Sequence, residues 1–193
     1  MSQADTVILR ETERVTLAVP GPSVAPRMAA YRELNREHAA ATAPPRPAGF
    51  YEVSFWEQRL RAGQEDFRAG RALPLVLFRR GAADGPIIGD ITFSNIVRGP
   101  FLACFLGYAL DREHVGQGLM FEGLEAAIRH VFEELKLHRI MANYMPANQR
   151  SGRLLRRLGF VVEGYARDYL FLAGAWQDHI LTSLTNPAPI SPV

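Results

Sequence analysis

Leu106-Gly-Tyr-Ala-Leu-Asp-Arg-Glu-His-Val-Gly-Gln-Gly-Leu-Met120 is the stretch of the chain that decides the fold. It predicts a buried strand, a short loop and the start of a long helix, with Gly116-Gln117-Gly118 where the helix begins. Glycine lets backbone N–H groups approach a ligand closely, and a helix N-terminus adds unpaired donors and a positive partial charge. The stretch therefore predicts a pyrophosphate site.

Two common nucleotide-binding loops do not fit this segment. A Walker loop ends in Gly-Lys-Ser/Thr, whereas residues 117–119 are Gln-Gly-Leu. A Rossmann fingerprint needs a further glycine where this chain has Phe121. Two interpretations remain open: a ligand whose phosphates need only backbone donors, and a glycine-rich helix start that binds no ligand.

A long helix is predicted from Gly118 onward. Its apolar residues recur at helical spacing and form one stripe: Met120, Leu124, Ala127, Ile128, Val131 and Leu135. Residues 138–144 then predict a strand. Asn148 is expected to cap a short helix, and Gly159 stands where a left-handed residue ends such a helix.

The remaining elements set the fold class. Apolar runs with tight turns predict an antiparallel meander over residues 73–78, 87–97 and 101–110, and a closing hairpin over residues 160–172 and 176–184. The first 70 residues predict a strand at 15–19, a helix capped by Ser23 and ending near His38, a proline-rich loop at 43–49 and a helix from Ser54 to about Gly70. This order predicts an α/β (α+β) fold with a largely antiparallel sheet.

Composition favours one globular domain over residues 1–185, with residues 186–193 as a loose proline-rich tail. The chain has 193 residues, of which 48% are hydrophobic, and its net charge of +2 gives no argument for binding DNA. No apolar run reaches the roughly 18 residues of a membrane helix. No signal peptide is visible, and a single cysteine excludes an internal disulfide. We expect a cytoplasmic protein.

Two motifs resemble those of the GNAT superfamily of N-acetyltransferases. Residues 113–118, Glu-His-Val-Gly-Gln-Gly, resemble its Gln/Arg-x-x-Gly-x-Gly/Ala pyrophosphate loop, with glutamate at the first position. Residues 148–160 resemble its Asn-x-x-Ser helix that ends in Gly-Phe. The segments 118–122 and 140–146 resemble the RimJ/RimL-type enzymes that acetylate ribosomal-protein N-termini. The resemblance is close over residues 87–184 and weak over the first 70.

The resemblance implies a single-domain GNAT fold, with helices on both faces of a mixed sheet that splays open to hold acetyl-CoA. The gap is expected between the strand ending at Leu110 and the strand at 138–144, where a backbone N–H can polarise the thioester carbonyl. Acetyl-CoA is the expected co-substrate, and no metal is expected. The expected cofactor contacts are Tyr108, Leu110, Val115, Gly116, Gln117, Gly118, Leu119, Asn148 and Arg153.

The catalytic groups are less well defined by the resemblance. Many GNAT enzymes have a tyrosine acid where this chain has Leu155, whereas RimJ/RimL-type enzymes have a serine that matches Ser151, whose alternative role is helix capping. The carboxylate proposed as base in RimL relatives matches Leu170. Asp168 points to the same face if the strand is regular, and is the candidate base. The alternatives are a water-relayed base and direct uptake of a neutral amine.

Other reactive residue types have simpler interpretations. Cys104 lies in an apolar strand and is expected in the core. Four histidines lack metal-ligand spacing: His114, His130, His138 and His179. Arg150, Arg153 and Arg157 share one helix face, which is either solvated or contacts the CoA 3′-phosphate or ribosomal RNA.

The leading hypothesis is acetylation of the N-terminal alpha-amine of a ribosomal protein that begins with alanine, with possible ribosome contact. One alternative is a small-amine acetyltransferase acting on an aminoglycoside or polyamine. A second is a CoA-binding regulatory module without turnover. We expect the loop at 43–49 and the helix from Ser54 to reach the acceptor. The protein is expected to be either a monomer or a homodimer.

Overall fold

The computed structural model describes residues 5–188 and 190, and an open eight-stranded sheet runs through this part of the chain. The strands are β1 Val7–Glu11, β2 Val15–Val19, β3 Leu73–Arg79, β4 Gly89–Val97, β5 Ala103–Leu110, β6 Arg139–Tyr144, β7 Val161–Leu172 and β8 Ala175–Thr185. The helices are α1 Ala25–Leu34, α2 Arg36–Ala40, α3 Val53–Arg68, α4 Leu119–Glu133 and α5 Gln149–Arg157. Short 3-10 turns occupy Pro22–Val24 and Arg112–His114.

The sheet order is β1-β2-β3-β4-β5-β6-β8-β7, and all neighbouring strands are antiparallel except β5 and β6. The parallel pair is short, because its register runs only from Ala103↔Arg139 to Phe105↔Met141. Beyond Phe105 the two strands separate, while β5 stays paired to β4 as far as Leu110. The predicted splay in a mixed, mostly antiparallel sheet is confirmed.

Helices cover both faces of the sheet, as predicted. Side chains alternate between faces along a strand, so Leu77 belongs to the core under α4 while Val76 and Phe78 belong to the core under α1 and α3. The predicted stripe of α4 packs into the first core, where Leu124 and Val131 are fully buried. The two cores fix the positions of α1 and α4 on opposite sides of the strands.

The N-terminal region departs from the predicted elements. An additional strand, β1, pairs with β2; its exposed Val7 and Ile8 make it an edge strand without a clear apolar alternation. Ser23 does not cap a helix, because its N–H and hydroxyl bond to Asp5 and the segment begins as a 3-10 turn. The helix predicted to reach His38 is interrupted at Asn35.

The C-terminal elements follow the predictions closely. The Asn148 side chain accepts a hydrogen bond from the Ser151 N–H at the start of α5, and Gly159 has φ +90° at its end. Asn186 is anchored by hydrogen bonds to the His138 and Leu137 carbonyls. The loose tail predicted at 186–193 falls partly outside the described residues, at positions 189 and 191–193, and stays a prediction.

Candidate active site

A cavity of about 740 Å³ opens where β5 and β6 separate. Its lining comes from α1 and α2, the loop that follows them, the end of β5, the glycine-rich loop and α5. Cavities of this size accommodate a cofactor-sized ligand. The free edge of β5 within the cavity leaves strand backbone able to pair with an extended ligand.

The glycine-rich loop forms one end of the cavity. Gly116 and Gly118 have φ +84° and +78°, values that glycine adopts without strain. Open space surrounds the position that a Cβ of Gly116 would occupy. Because Gly118 immediately precedes α4, the loop N–H groups and the positive end of the helix act together. The residues present fit a diphosphate.

Two predicted contact residues turn their side chains away from the cavity. Gln117 donates to the Glu113 carbonyl at 2.8 Å and accepts from Arg79 at 2.9 Å. Leu119 is fully buried in the core. Of the predicted cofactor contacts, the structure brings Tyr108, Leu110, Val115, Gly116, Gly118, Asn148 and Arg153 to the cavity lining. The other two can contribute only backbone groups.

Ser151 and Tyr108 form a hydrogen-bonded pair in the cavity wall, with 2.6 Å between their hydroxyl oxygens. Burial raises the pKa of Tyr108 to about 12, and the hydrogen bond with Ser151 opposes this only in part. Tyr108 is therefore protonated near neutral pH. The sequence suggested Tyr108 only as a backbone contact, because a pair 43 positions apart has no local signal.

The arginine face of α5 points to the cavity mouth. Arg150, Arg153 and Arg157 all line it, and the Arg157 guanidinium lies 4.5 Å from the centroid of the Phe121 ring. No ion pair involves these three residues among the described residues. The face is positioned to meet an anionic ligand in the cavity.

The opposite wall is built from α1 and α2, and not from α3, contrary to the expectation for the helix near Ser54. Tyr31 donates to Asp90 at 3.0 Å, and Arg32 forms an ion pair with the same carboxylate, also at 3.0 Å. Arg46 of the proline-rich loop also lines the cavity. Within the described chain, α3 contributes no lining residue.

Asn35 connects this wall to the glycine-rich loop. Its side chain donates to Asp111 at 2.8 Å and accepts from the Arg112 N–H at 2.9 Å. Burial opposes ionisation of Asp111, but hydrogen bonds from Asn35, the Glu113 N–H and His114 outweigh it and hold its pKa below the usual value. The contacts join segments 76 and 77 positions apart, which sequence reasoning missed.

Asp168 does not reach the cavity lining. The strand is irregular between Ala166 and Leu170, and Asp168 has φ +48° with its N–H bonded to Asp178. The premise of a regular strand is therefore wrong, and neither Asp168 nor Leu170 lines the cavity. No carboxylate from the described residues lines it either.

Three further observations bear on other chemistry. Cys104 is fully buried, which raises its thiol pKa to about 12 and confirms its place in the core. The described residues hold no cluster of three or more metal-binding side chains. None of the helices in the described chain is both long and apolar enough to cross a membrane.

Comparisons with known proteins converge on one family. Residues 14–161 match the family described as the acetyltransferase (GNAT) domain. The chain is 46% identical over 176 residues to the [ribosomal protein uS5]-alanine N-acetyltransferase of Escherichia coli, covering 91% of this chain and 90% of the relative. It is 35% identical over 153 residues to the probable N-acetyltransferase YjcK of Bacillus subtilis, covering 79% and 83%.

Solved structures agree with these matches. The ribosomal-protein-S5-alanine acetyltransferase from Vibrio fischeri superimposes with a TM-score of 0.88 at 39% identity, covering 92% of this chain and 96% of that one. RimJ of Mycobacterium smegmatis, solved in complex with CoA-disulfide, has a TM-score of 0.83 at 28% identity, covering 95% and 88%.

Proposed function

The chain belongs to the acetyltransferase (GNAT) family, whose members use acetyl-CoA, and from this premise we propose that it acetylates the N-terminal alpha-amine of a ribosomal protein that begins with alanine. The similarity to an enzyme named for this activity extends over nearly the whole chain. The observation that supports this class of acceptor is that no Asp or Glu among the described residues lines the cavity. We also propose a cytoplasmic location, where newly made ribosomal proteins are found.

Acetyl-CoA occupies the wall made of β5, the glycine-rich loop and α5. The diphosphate accepts hydrogen bonds from the N–H groups of Gly116 and Gly118. The pantetheine arm pairs with the free edge of β5 near Tyr108 and Leu110. The arginine face of α5 offers charge to the 3′-phosphate, which favours this role over contact with ribosomal RNA. The left-handed glycines and the unpaired strand edge support this placement.

Ser151 stabilises the departing sulfur. The amine attacks the thioester carbonyl, the carbon–sulfur bond breaks, and the amine loses a proton to water. Either hydroxyl can donate in this pair, and with Tyr108 as the donor the serine hydrogen is free to bond the developing thiolate. A thiol has a pKa of about 8.5, below the value of about 12 for Tyr108. The pair therefore acts by hydrogen bonding, and solvent supplies the proton that the thiolate finally takes.

No side-chain base is required in this scheme. An N-terminal amine has a pKa of about 8, so a useful fraction is neutral at pH 7. This fits a cavity whose lining, in the described residues, has no carboxylate. Asp168 as a base stays a prediction without a contact to support it.

The two alternatives are less well supported. A polyamine or aminoglycoside carries several cations, each of which favours a carboxylate partner, whereas the cavity lining is cationic. A module without turnover would have no use for a serine and tyrosine paired inside the cavity.

The test is a competition at equal concentration among ten-residue peptides, spermidine and kanamycin. We expect peptides beginning with alanine to exceed both small amines at least tenfold in kcat/KM. The control is the same peptide with a blocked N-terminus and one internal lysine, which should not react. If spermidine or kanamycin is the better acceptor, the ribosomal-protein proposal is wrong and the family assignment stands.

A further inference from the structure

Arg46 lies in a wall that the cavity shares with a second groove. This groove has a volume of about 300 Å³, and its lining includes Arg36, Arg46, Tyr51 and the β7–β8 tip at Ala173 and Gly174. The tip is fixed to the proline-rich loop, because the Ala173 N–H donates to the Ala43 carbonyl at 3.0 Å. Since Arg46 lines both spaces, its side chain lies at the boundary between the cavity and the groove.

The Arg46 guanidinium is held in place by aromatic rings. It lies 4.8 Å from the centroid of Phe50 and 5.2 Å from that of Tyr51, and it donates to the Tyr51 hydroxyl at 2.5 Å. Among the described residues Arg46 forms no ion pair, whereas neighbouring Arg36 is paired with Glu33 at 2.7 Å. A fixed cation thus stands half-buried at the cavity exit without a neutralising carboxylate.

The charge of Arg46 is not needed by acetyl-CoA in the proposed placement. The CoA phosphates lie towards the glycine-rich loop and α5, where Arg150, Arg153 and Arg157 line the cavity. Arg46 belongs to the opposite, acceptor wall together with His38. An arginine fork binds carboxylates and phosphates through charge-assisted hydrogen bonds. Because the CoA phosphates are placed at the other wall, the partner left for Arg46 is a carboxylate of the acceptor segment.

We propose that Arg46 binds an aspartate or glutamate side chain close to the acceptor N-terminus, so that the preferred acceptors have acidic N-terminal segments. This rests on the proposed function, in which the acceptor amine reacts inside the cavity, and it adds that the acceptor chain lies in the groove. An extended peptide advances about 3.3–3.6 Å per residue. The carboxylate therefore belongs to one of the first few residues after the terminal one.

The test uses ten-residue peptides that begin with alanine and are otherwise uncharged. A single glutamate is moved from position 2 to position 6, and each peptide is compared with its glutamine and lysine counterparts. We expect one glutamate position to raise kcat/KM about tenfold over glutamine, through KM and with kcat unchanged, as fits one charge-assisted hydrogen bond. Lysine at that position should lower kcat/KM.

Variants assign the effect to Arg46. R46Q should remove the preference for glutamate, and R46E should reverse it towards lysine. R46K, which keeps the charge but loses the planar fork, should retain part of the preference. The matched control is R59Q, at an exposed position of α3 that lines neither space, and it should behave like wild type. Thermal melting and CoA affinity confirm that each variant is folded.

The outcomes separate this inference from the proposed function. Equal kcat/KM for glutamate and glutamine peptides with the wild type overturns the role of Arg46, while peptide acetylation as such stands. A preference that survives in R46Q also overturns it. If small amines react and no peptide does, both proposals fail.

Discussion

The two walls of the cavity achieve their shape by different means. The wall that we propose for the cofactor, called the cofactor wall below, presents backbone: left-handed glycines at 116 and 118, the start of α4 and the unpaired edge of β5. The acceptor wall presents side chains from α1, α2 and the loop carrying Arg46, fixed by buried polar contacts such as Asn35 with Asp111. One wall therefore depends on local backbone conformation, and the other on partners that are distant in sequence.

This difference determines which changes each wall tolerates. Glu113 stands where the family loop has a basic or amide residue. Its backbone makes the hydrogen bonds that fix the loop, because its N–H donates to Asp111 and its carbonyl accepts from the Gln117 side chain. A side-chain change there leaves the donors in place. On the acceptor wall, removal of one side chain leaves a buried partner unsatisfied.

The largest effect is expected at the cofactor wall, from G118D. A Cβ at this position would lie 3.4 Å from the Arg14 guanidinium, within the loop that we propose to hold the diphosphate, and like charges at close range repel strongly. We expect CoA affinity by calorimetry to fall about 100-fold or more, a loss of roughly 3 kcal/mol. The fold should persist, because aspartate tolerates the left-handed conformation of position 118 better than most residues, and a negative charge at a helix N-terminus favours the helix.

The matched control for charge is G118N. Asparagine has nearly the same size and tolerates the left-handed conformation better than most residues, so this variant should lose much less affinity. Equal losses in the two variants would show that bulk, and not charge, is responsible. Unchanged CoA affinity in a folded G118D variant would contradict the proposal that this loop binds the diphosphate.

The next effect concerns the hydrogen-bonded pair of Ser151 and Tyr108 in the cavity wall. We expect S151A to lower kcat by about 100-fold, the usual loss when one hydrogen-bond donor to a developing anion is removed, with little change in KM for acetyl-CoA. Y108F should lower kcat about tenfold, because Ser151 keeps its hydroxyl but loses the donor that orients it. The double variant should be no slower than S151A if the two act as one unit.

Two measurements sharpen this result. Y165F, which removes an exposed tyrosine hydroxyl bonded to Asp178, is the matched control and should leave kcat unchanged. The pH profile of kcat/KM should rise through about pH 8 as the acceptor amine loses its proton. It should then stay level to about pH 10, because Tyr108 keeps its proton until pH approaches 12. A kcat of S151A within twofold of wild type would contradict the catalytic role of Ser151 and leave helix capping as its role.

The same difference between the walls explains what could be predicted from the sequence. The glycine-rich loop, the Asn148 cap and Gly159 were located correctly, since each depends on the conformation of a few adjacent residues. The splay between β5 and β6 followed from the family resemblance. These features place the cofactor wall almost completely.

The acceptor wall could not be predicted in the same way. The break at Asn35 is a point of contact with Asp111, and nothing in the local helical pattern marks it. The register of β7 shifts between Ala166 and Leu170, and Asp168 within this break has a left-handed backbone. Its side chain therefore does not point to the face that a regular strand predicts. In both cases tertiary contacts decide the outcome, so local spacing gave a wrong expectation.

The smallest effect on turnover, and the one that tests whether the walls are coupled, is expected from N35A. The variant leaves Asp111 and the Arg112 N–H without a partner on the acceptor side, at a cost of about 1–3 kcal/mol in the free energy of unfolding. We expect KM to rise a few-fold for acetyl-CoA and for peptide alike, with kcat within about twofold, because Asn35 touches the segments that carry both proposed binding sites. The matched control is N186A, which loses hydrogen bonds far from the cavity and should reduce stability without changing either KM.

The pH dependence of stability is a second test of the coupling between the two walls through Asn35 and Asp111. A carboxyl whose folded pKa is lowered contributes stability that is present above its unfolded pKa, about 3.9 for aspartate, and is lost as pH falls through the folded value. The pKa of Asp111 is lowered in the fold, with Asn35 among its hydrogen-bond donors. The stability difference between wild type and N35A in urea titrations should therefore be largest near pH 7 and shrink below about pH 4. A difference independent of pH, or a rise in only one KM, would show that Asn35 supports one wall alone and that the two walls are not joined through Asp111.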